Sequence, residues 1–352
     1  MPSTIRTDAS APARMRGRAD AVVDTMVLEM ADAAPILLLL ASLQSWPESA
    51  SAMIVLFPAN PTQPRLPDSD YRAEWDAALA LGHRTAAVDH DELVRGNLGR
   101  ALRFLPESAD DPILLYRGWM MRAAEYSALV AAVRERGFEP ITSPEAYRIC
   151  HHLPDGYPFI ESATAPSIWI DVAEALPGGS PDWTAIRATA AKLGPGPAII
   201  KDWVKSQKHA WSTACFISDA TDAEAVRRIA GKFLELQGDM LVGGLVFRRF
   251  IRLLQRGVHP RSGMPLGAEM RSFWVRGQPV ALSDYWSDAP ARARPDLAGF
   301  SMVAATIPSP FFTMDLAQAE DGHWFIMELG DGQVAGLPDG VRPQVLFSAL
   351  GQ

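Results

Sequence analysis

Residues 311–333 read FFTMDLAQAEDGHWFIMELGDGQ, two apolar segments joined by a short polar turn. The turn is Glu320-Asp321-Gly322-His323, and Asp-Gly at its centre is the signal for a two-residue type I′ hairpin loop. With that loop, residue 320 pairs with residue 323, and counting outward pairs Asp315 with Glu328. The pattern therefore predicts an antiparallel hairpin that carries two carboxylates directly opposite each other on one face.

These two acidic residues predict a divalent metal site. Opposite carboxylates repel each other, and their apolar neighbours indicate burial, so a bridging cation is expected. Carboxylate oxygens suit Mg²⁺ or Mn²⁺, with phosphate oxygens and water completing the shell. By alternation Gly330 shares the metal face, so a third protein ligand has to come from the following segment, as Asp331 or Gln333. The alternative is that both carboxylates point to bulk water, and a one-residue slip would separate them.

A second group of candidates lies upstream, in Pro197-Ala198-Ile199-Ile200-Lys201-Asp202. Lys201 follows apolar residues at the end of a predicted strand, and by alternation Lys205 shares its face if the strand continues. An ammonium group is a point-charge partner for phosphate. The alternative interpretation is a solvated loop rich in Lys and His.

Two further sets of charged residues leave their roles open. Glu269 and Arg271 are two apart on a predicted strand, where Arg271 can bind a phosphate or carboxylate or form a structural ion pair. The pair Arg248-Arg249 has the same ambiguity. The histidine pair at 151 and 152 follows Cys150, but no partner at metal-ligand spacing supports a metal site there.

The N-terminal half predicts a parallel α/β sheet, because short apolar strands alternate with amphipathic helices from Met53 onward. Ligand sites in such sheets lie at the carboxyl ends of strands. Arg117 directly follows the predicted strand Ile113–Tyr116 and is a candidate substrate-binding residue; the alternative is an ordinary surface arginine. From Gly243 the pattern becomes antiparallel, so the predicted class is α/β giving way to α+β.

Composition narrows the partners. The formal net charge is -8 without a long basic run, which disfavours nucleic acid as a partner. The two cysteines, Cys150 and Cys215, lack metal-ligand spacing, which indicates a reducing, cytoplasmic compartment. Residues 1–52 are interpreted as a poorly ordered extension. Acidic residues separate their arginines from the short apolar run Ile36–Leu43, which fits neither a signal peptide nor a membrane span.

Taken in order, these segments resemble the ATP-grasp superfamily, over roughly residues 53–350. The resemblance is carried by Lys201-Asp202-Trp203-Val204-Lys205-Ser206 and by Glu328-Leu329-Gly330-Asp331-Gly332-Gln333. It implies an N-terminal α/β pre-ATP-grasp domain, residues 53–144, and a two-subdomain ATP-grasp domain, residues 145–352. The two subdomains, residues 145–241 and 242–352, are expected to hold ATP between them.

The resemblance also implies roles for single residues. Lys201 matches the lysine that contacts the α- and β-phosphates, residues 206–213 match the loop over the phosphates, and Leu245–Phe250 matches the adenine-reading hinge. The expected catalytic residues are Lys201 and Arg271; the nucleotide-binding residues are Lys201, Lys205, Arg248, Phe250 and Glu269; the metal ligands are Asp315, Glu328 and Asp331. Two positions depart from the family pattern: Arg248-Arg249 stand where an acidic pair is common, and Gly330 replaces the usual Asn ligand.

The reaction that this resemblance implies is a Mg-ATP-dependent ligation of a carboxylate to an amine through an acylphosphate, with release of ADP and phosphate. The expected partners are small-molecule or peptide carboxylates and amines, with no nucleic acid and no membrane, and the oligomeric state is open. Two alternatives keep the fold: a kinase that uses another phosphate acceptor, and a non-catalytic nucleotide-binding module.

Overall fold

The computed structural model describes residues 52–106, 112–258, 265–286 and 293–352. The expected N-terminal extension, residues 1–52, lies outside the described residues except for Ala52. Both cysteines are buried and free.

The N-terminal part forms a parallel sheet with the strand order β2-β1-β3-β4, as the alternating pattern predicts. Its strands are buried along most of their length, so apolar side chains face helices on both sides. The strands are β1 (Ile54–Pro58), β2 (Arg84–Val88), β3 (Ile113–Tyr116) and β4 (Glu139–Pro140). The helices are α1 (Arg72–Ala80), α2 (His90–Val94), α3 (Leu98–Ala101) and α4 (Ala123–Arg134).

The middle part forms an antiparallel sheet with the strand order β5-β8-β6-β7. One face packs on a long amphipathic helix, α9, which begins at Asp222, whose carboxylate caps the main-chain N–H groups of Glu224 and Ala225. The strands are β5 (Ser167–Asp171), β6 (Ala198–Asp202), β7 (Phe216–Ile217) and β8 (Gly244–Arg249). The helices are α5 (Pro144–His151), α6 (Leu153–Ile160), α7 (Val172–Ala175), α8 (Trp183–Lys192) and α9 (Ala223–Gln237).

The C-terminal part forms an antiparallel sheet with the strand order β12-β11-β13-β14, beside the two-stranded pair β9-β10. One face shares a hydrophobic core with the N-terminal sheet, where Phe273 and Phe311 pack with Phe57 and Phe347. The strands are β9 (Gln255–Val258), β10 (Pro265–Gly267), β11 (Glu269–Val275), β12 (Gln278–Asp284), β13 (Phe311–Gln318) and β14 (Trp324–Asp331). The helices are α10 (Ala298–Ala304) and α11 (Pro343–Leu350).

The turn between β13 and β14 is not the expected two-residue type I′ loop. A type I′ loop needs positive φ at both central residues, and here φ is positive at Gly322 (90°) but not at Asp321. The N–H of Gly322 donates to the carbonyl of Ala319 (2.9 Å), and the N–H of Ala319 donates to the carbonyl of His323 (2.8 Å). The loop therefore has three residues.

The expected pairing of Asp315 with Glu328 is nevertheless confirmed. The longer loop shifts the register by one residue, so that Leu316 pairs with Ile326. A β-bulge then leaves Met327 without a partner and restores the expected register at the two carboxylates. The hairpin thus places both acidic residues on one face by a route that the turn sequence does not reveal.

Candidate nucleotide and metal site

The two carboxylates of the hairpin each have a cationic partner in the protein. Arg271 donates to Asp315 from Nε to Oδ1 and from Nη2 to Oδ2, both at 2.8 Å. Lys201 Nζ donates to Glu328 Oε1 at 3.0 Å. The expectation that only a metal ion stabilises the opposite acids is therefore wrong, because two ion pairs already neutralise them.

Sheet register brings these four side chains together. Arg271 on β11 lies directly opposite Asp315 on β13, so the two project from the same face. Lys201 comes from the end of β6 in the middle sheet and crosses to Glu328 on β14 in the C-terminal sheet. The cluster therefore lies between the two sheets, where the ATP-grasp resemblance expects the phosphates.

The electrostatic surroundings keep Glu328 ionised. Loss of hydration favours its neutral form, but Lys201 and Lys208 outweigh that effect and lower the pKa of Glu328 to about 2. For Asp315 burial is the larger effect, and the pKa of its carboxyl is raised even though Arg271 opposes the change. Burial of Lys208 favours its neutral form, but Glu328 and Glu269 raise the pKa of its ammonium overall.

Two adjoining cavities open at this cluster. The larger, of about 410 Å³, is lined by Lys201, Arg271, Asp315 and Glu328, and also by His151 of α5. The smaller, of about 260 Å³, has mostly apolar lining. The side chains that line both cavities are Ile199, Lys208, Arg248 and Met327.

The smaller cavity is shaped by aromatic side chains. Phe250 packs edge-on against Phe216, with ring centroids 5.3 Å apart, and lies 5.8 Å from Trp211. Glu269 also lines this cavity and accepts a hydrogen bond from Trp286 Nε1 at 3.0 Å. Phe250 and Glu269 therefore lie where a flat aromatic ligand fits beside the charged cluster.

Lys205 reaches the larger cavity by a different route from the one that alternation predicts. The strand β6 ends at Asp202, whose carboxylate accepts hydrogen bonds from the main-chain N–H groups of Val204 (2.6 Å) and Lys205 (2.5 Å). The chain turns there, and the exposed Lys205 lines the larger cavity from the following loop. That loop continues into a π-helical turn, Trp211–Cys215, a conformation frequent at functional sites.

The expected nucleotide contact of Arg248 is corrected by the structure. Its guanidinium is buried and donates to the carbonyls of Met327 (2.6 Å) and Ile326 (3.1 Å) and to the hydroxyl of Thr164 (2.8 Å). Burial lowers the pKa of Arg248 to about 10. Arg248 therefore ties β8 to β14, and its donors are committed to protein oxygens.

The expected substrate contact of Arg117 is also corrected. Arg117 is 1% exposed and forms two hydrogen bonds with the carboxylate of Glu74, at 2.6 and 3.1 Å. Its Nη1 donates to the carbonyls of Gly332, Gln333 and Ala335. Arg117 therefore attaches the N-terminal sheet to the segment after β14 and does not face a substrate.

The expected third metal ligand, Asp331, does not join Asp315 and Glu328. Because β14 continues to Asp331 as a regular strand paired with Phe312, this residue alternates onto the other face from Gly330. Its Oδ1 accepts hydrogen bonds from the main-chain N–H and Nε2 of Gln333. Within the described ranges there is no group of three His, Cys, Asp or Glu side chains that fits a metal ion.

A two-carboxylate site still fits Mg²⁺. This ion commonly takes one or two protein carboxylates and completes its octahedron with water and substrate phosphates rather than a full protein cage. Asp315 and Glu328 supply two hard oxygen donors on one face, and Glu328, with 43% of its side chain exposed, borders the cavity.

Sequence reasoning assigned no specific role in the site to Lys208, Tyr285 or His151. Lys208 lines both cavities, and its place in a Lys/His-rich loop beside Lys201 is a usable signal. Tyr285 places its ring 4.9 Å from the Arg271 guanidinium, and no sequence pattern indicates this contact. His151 was considered only as a metal ligand, yet it lines the larger cavity.

Comparison with known proteins agrees with this geometry. Residues 192–350 match a family model described as an ATP-grasp domain, the third family of its clade. A search of curated proteins found no match. In the described part of the chain, no helix is long and apolar enough to cross a membrane.

Several solved structures share the fold. A RimK domain protein ATP-grasp from Sphaerobacter thermophilus DSM 20745 is 13% identical, with 85% of this chain and 98% of that chain covered and a TM-score of 0.54. The D-cycloserine synthetase DcsG is 14% identical, with the same coverage and a TM-score of 0.52. N5-carboxyaminoimidazole synthetase from Staphylococcus aureus is 12% identical, with coverage of 86% and 77% and a TM-score of 0.50. With the family match and the shared fold taken together, this chain is a member of the ATP-grasp superfamily.

Proposed function

We propose that this protein is a Mg-ATP-dependent ligase that joins a carboxylate to an amine through an acylphosphate and releases ADP and phosphate. The observation that carries the proposal is the pair of ion pairs, Lys201–Glu328 and Arg271–Asp315, which face one cavity beside an apolar pocket. The names of two proteins with the same fold, D-cycloserine synthetase and N5-carboxyaminoimidazole synthetase, are consistent with a ligase.

The ion pairs supply the charges that phosphoryl transfer needs. This chemistry depends on positioning and charge neutralisation more than on covalent help from the protein. Asp315 and Glu328 would hold Mg²⁺, which when bound neutralises phosphate oxygens. Lys201 and Arg271, released from the two carboxylates, would then pair with phosphate oxygens, so each charge in the cluster keeps a partner of opposite sign.

The reaction has two bond exchanges. A carboxylate oxygen of the substrate bonds to the γ-phosphorus as the bond to the ADP oxygen breaks. The amine nitrogen then bonds to the acyl carbon as the C–O bond to phosphate breaks. Arg271 would hold the acylphosphate between these exchanges, and Lys208, from the loop over the cavity, would help to exclude water.

The adjoining apolar cavity would hold the nucleobase. Phe250 and Trp211 give it aromatic walls, and Lys208 and Arg248 lie where it meets the charged cavity. A base in this cavity places the phosphates beside Lys201. Phe250 is thus proposed as a base contact, whereas Arg248 supports the wall without spending its donors on the nucleotide.

The test is a screen for ADP release with Mg-ATP across paired amino acids and peptides. ADP and phosphate that form only when both a carboxylate and an amine are present would support the proposal. AMP as the product would refute it, and so would ADP formed with stable transfer of phosphate to one substrate, which is the kinase outcome.

The variant Lys201→Met is expected to weaken Mg-ATP binding about tenfold or more, because a charge-assisted hydrogen bond contributes roughly 1.5–3 kcal/mol. Isothermal titration calorimetry measures the change. Lys192→Met, the same change at an exposed position on α8, is the control and should bind as the wild type does. Equal affinities of the two variants would remove Lys201 from the phosphate site.

A further inference from the structure

His151, the last residue of α5, has an imidazole ring whose orientation and tautomer are set by its neighbours. Nδ1 lies 2.9 Å from the main-chain oxygen of Tyr147. A carbonyl oxygen can only accept, so Nδ1 carries the proton and Nε2 presents a lone pair. The ring also packs on the Tyr147 ring at a centroid distance of 4.1 Å. Tyr147 is itself anchored through its hydroxyl, which donates to the carbonyl of Met121 at 2.8 Å.

The Nε2 atom of His151 is buried and has no hydrogen-bond partner among the described residues. Burial lowers the pKa of this imidazole to about 4, with a further contribution from His152 and Lys205, so the ring is neutral at pH 7. A buried acceptor without a partner costs roughly 1–3 kcal/mol. Because the residue lines the larger cavity, a ligand bound there can remove that cost.

The lone pair of Nε2 selects among the three reactants of the proposed ligase. Phosphates and carboxylates offer acceptors at neutral pH, and Lys201, Lys205 and Arg271 in the same cavity complement them. An amine has N–H donors that match a neutral imidazole. The adenine amino group also has donors, but the base is assigned to the apolar cavity, whose lining does not include His151.

We propose that the part of the larger cavity beside His151 is the subsite for the nucleophilic amine, with Nε2 of His151 accepting a hydrogen bond from the amine N–H. This inference rests on the proposed ligase function. The positive charges of Lys201 and Lys205 disfavour a second cation nearby, so the amine binds as its free base, the form that attacks.

The hydrogen bond orients the nitrogen during the second bond exchange. The nitrogen lone pair forms the C–N bond, and the C–O bond to phosphate breaks with its electron pair leaving on the phosphate. The proton that the nitrogen releases goes to the departing phosphate. His151 stays neutral throughout, and it needs to accept only a hydrogen bond.

Three variants test the role of His151. His151→Phe keeps a flat ring against Tyr147 but removes the acceptor, and His151→Gln restores an acceptor oxygen at a similar distance along the side chain. His152→Phe is the matched control, since His152 contacts Asp155 and Trp203 and does not line the larger cavity. Mg-ATP affinity by calorimetry checks that each variant folds and binds nucleotide.

The expected result is a rise of about tenfold in the KM for the amine in His151→Phe, equal to the loss of one hydrogen bond. The KM values for ATP and for the carboxylate should stay at wild-type levels. His151→Gln should recover part of the loss. A wild-type amine KM in His151→Phe would overturn the inference.

A binding measurement separates this inference from the ligase proposal. Wild-type protein labelled with ¹⁵N-histidine is titrated with glycinamide as the amine probe and with acetate as the comparison. The Nε2 resonance, assigned by its loss in His151→Phe, should move upfield with glycinamide and stay in place with acetate. If no carboxylate–amine pair released ADP, the ligase proposal would fall while such a shift still established an amine site. No shift with glycinamide would overturn the amine subsite even in an active ligase.

Discussion

The substitution Asp331→Asn is expected to stabilise the protein at neutral and alkaline pH. The Asp331 side chain is 0% exposed, and its Oδ2 has no hydrogen-bond partner among the described residues. Burial is the main cause that raises the pKa of this carboxyl from 3.8 to about 7. Asparagine keeps an oxygen for the two donors of Gln333 but carries no charge.

The size of the effect follows from the difference between the two pKa values. From about pH 4 to about pH 7 the folded protein holds a proton at Asp331 that the unfolded chain has released. Stability therefore falls as pH rises through this window, by about 1.4 kcal/mol per pH unit. Over about three units the total is about 4 kcal/mol, present in full above pH 7 and absent below pH 4, where both states are protonated.

Urea unfolding of wild type and Asp331→Asn at pH 4, 5, 6, 7 and 8 measures the effect. The difference between the two free energies of unfolding isolates Asp331, because buried histidines such as His151 titrate in both proteins and cancel. The variant should gain on the wild type steadily up to pH 7 and then hold a constant advantage. A difference that stayed within about 0.5 kcal/mol at every pH, or that favoured the wild type at pH 8, would refute the reasoning.

Two further predictions concern the ion pairs. Arg117→Met should lower the free energy of unfolding by about 3–5 kcal/mol, because it leaves the buried carboxylate of Glu74 without its partner; urea titration measures this. The same change at Arg72, whose pair with Asp76 is exposed, is the control and should cost less than about 1 kcal/mol, so equal losses would contradict the buried role. Glu328→Gln should raise the Mg²⁺ concentration for half-maximal ATP binding by about tenfold or more, since even outer-shell changes cost about 10–100-fold. An unchanged Mg²⁺ dependence in calorimetry would remove Glu328 from the metal site.

The sequence predicted the hairpin pairing better than it predicted the hairpin. Asp315 and Glu328 face each other as expected, but the loop is one residue longer, and the bulge at Met327 compensates for it. Bulges depend on local packing on both faces of a sheet, and a turn motif carries no information about them. The alternation of strands and helices in the N-terminal half was easier to predict, because buried apolar strands and amphipathic helices differ in period.

The arginines show why site residues are harder to predict than strands. Arg117 follows a parallel strand, where ligands usually bind, but the carbonyls of residues 332, 333 and 335 occupy its guanidinium, and they lie more than two hundred positions away. Arg248 has the same history with β14. The ion-pair alternative stated for Arg271 does occur, with Asp315 as its partner. Each outcome depends on long-range packing rather than on the local pattern.

Arg248 also limits how the cleft between the two sheets can move. Its three hydrogen bonds fix β8 against β14 through a buried cation, and separating the strands there would leave that cation without acceptors. This contact therefore works as a pivot: the sheets can tilt about it but not part at it. Entry and exit of reactants then fall to the opposite rim, where residues 203–213 and their lysines form a movable cover.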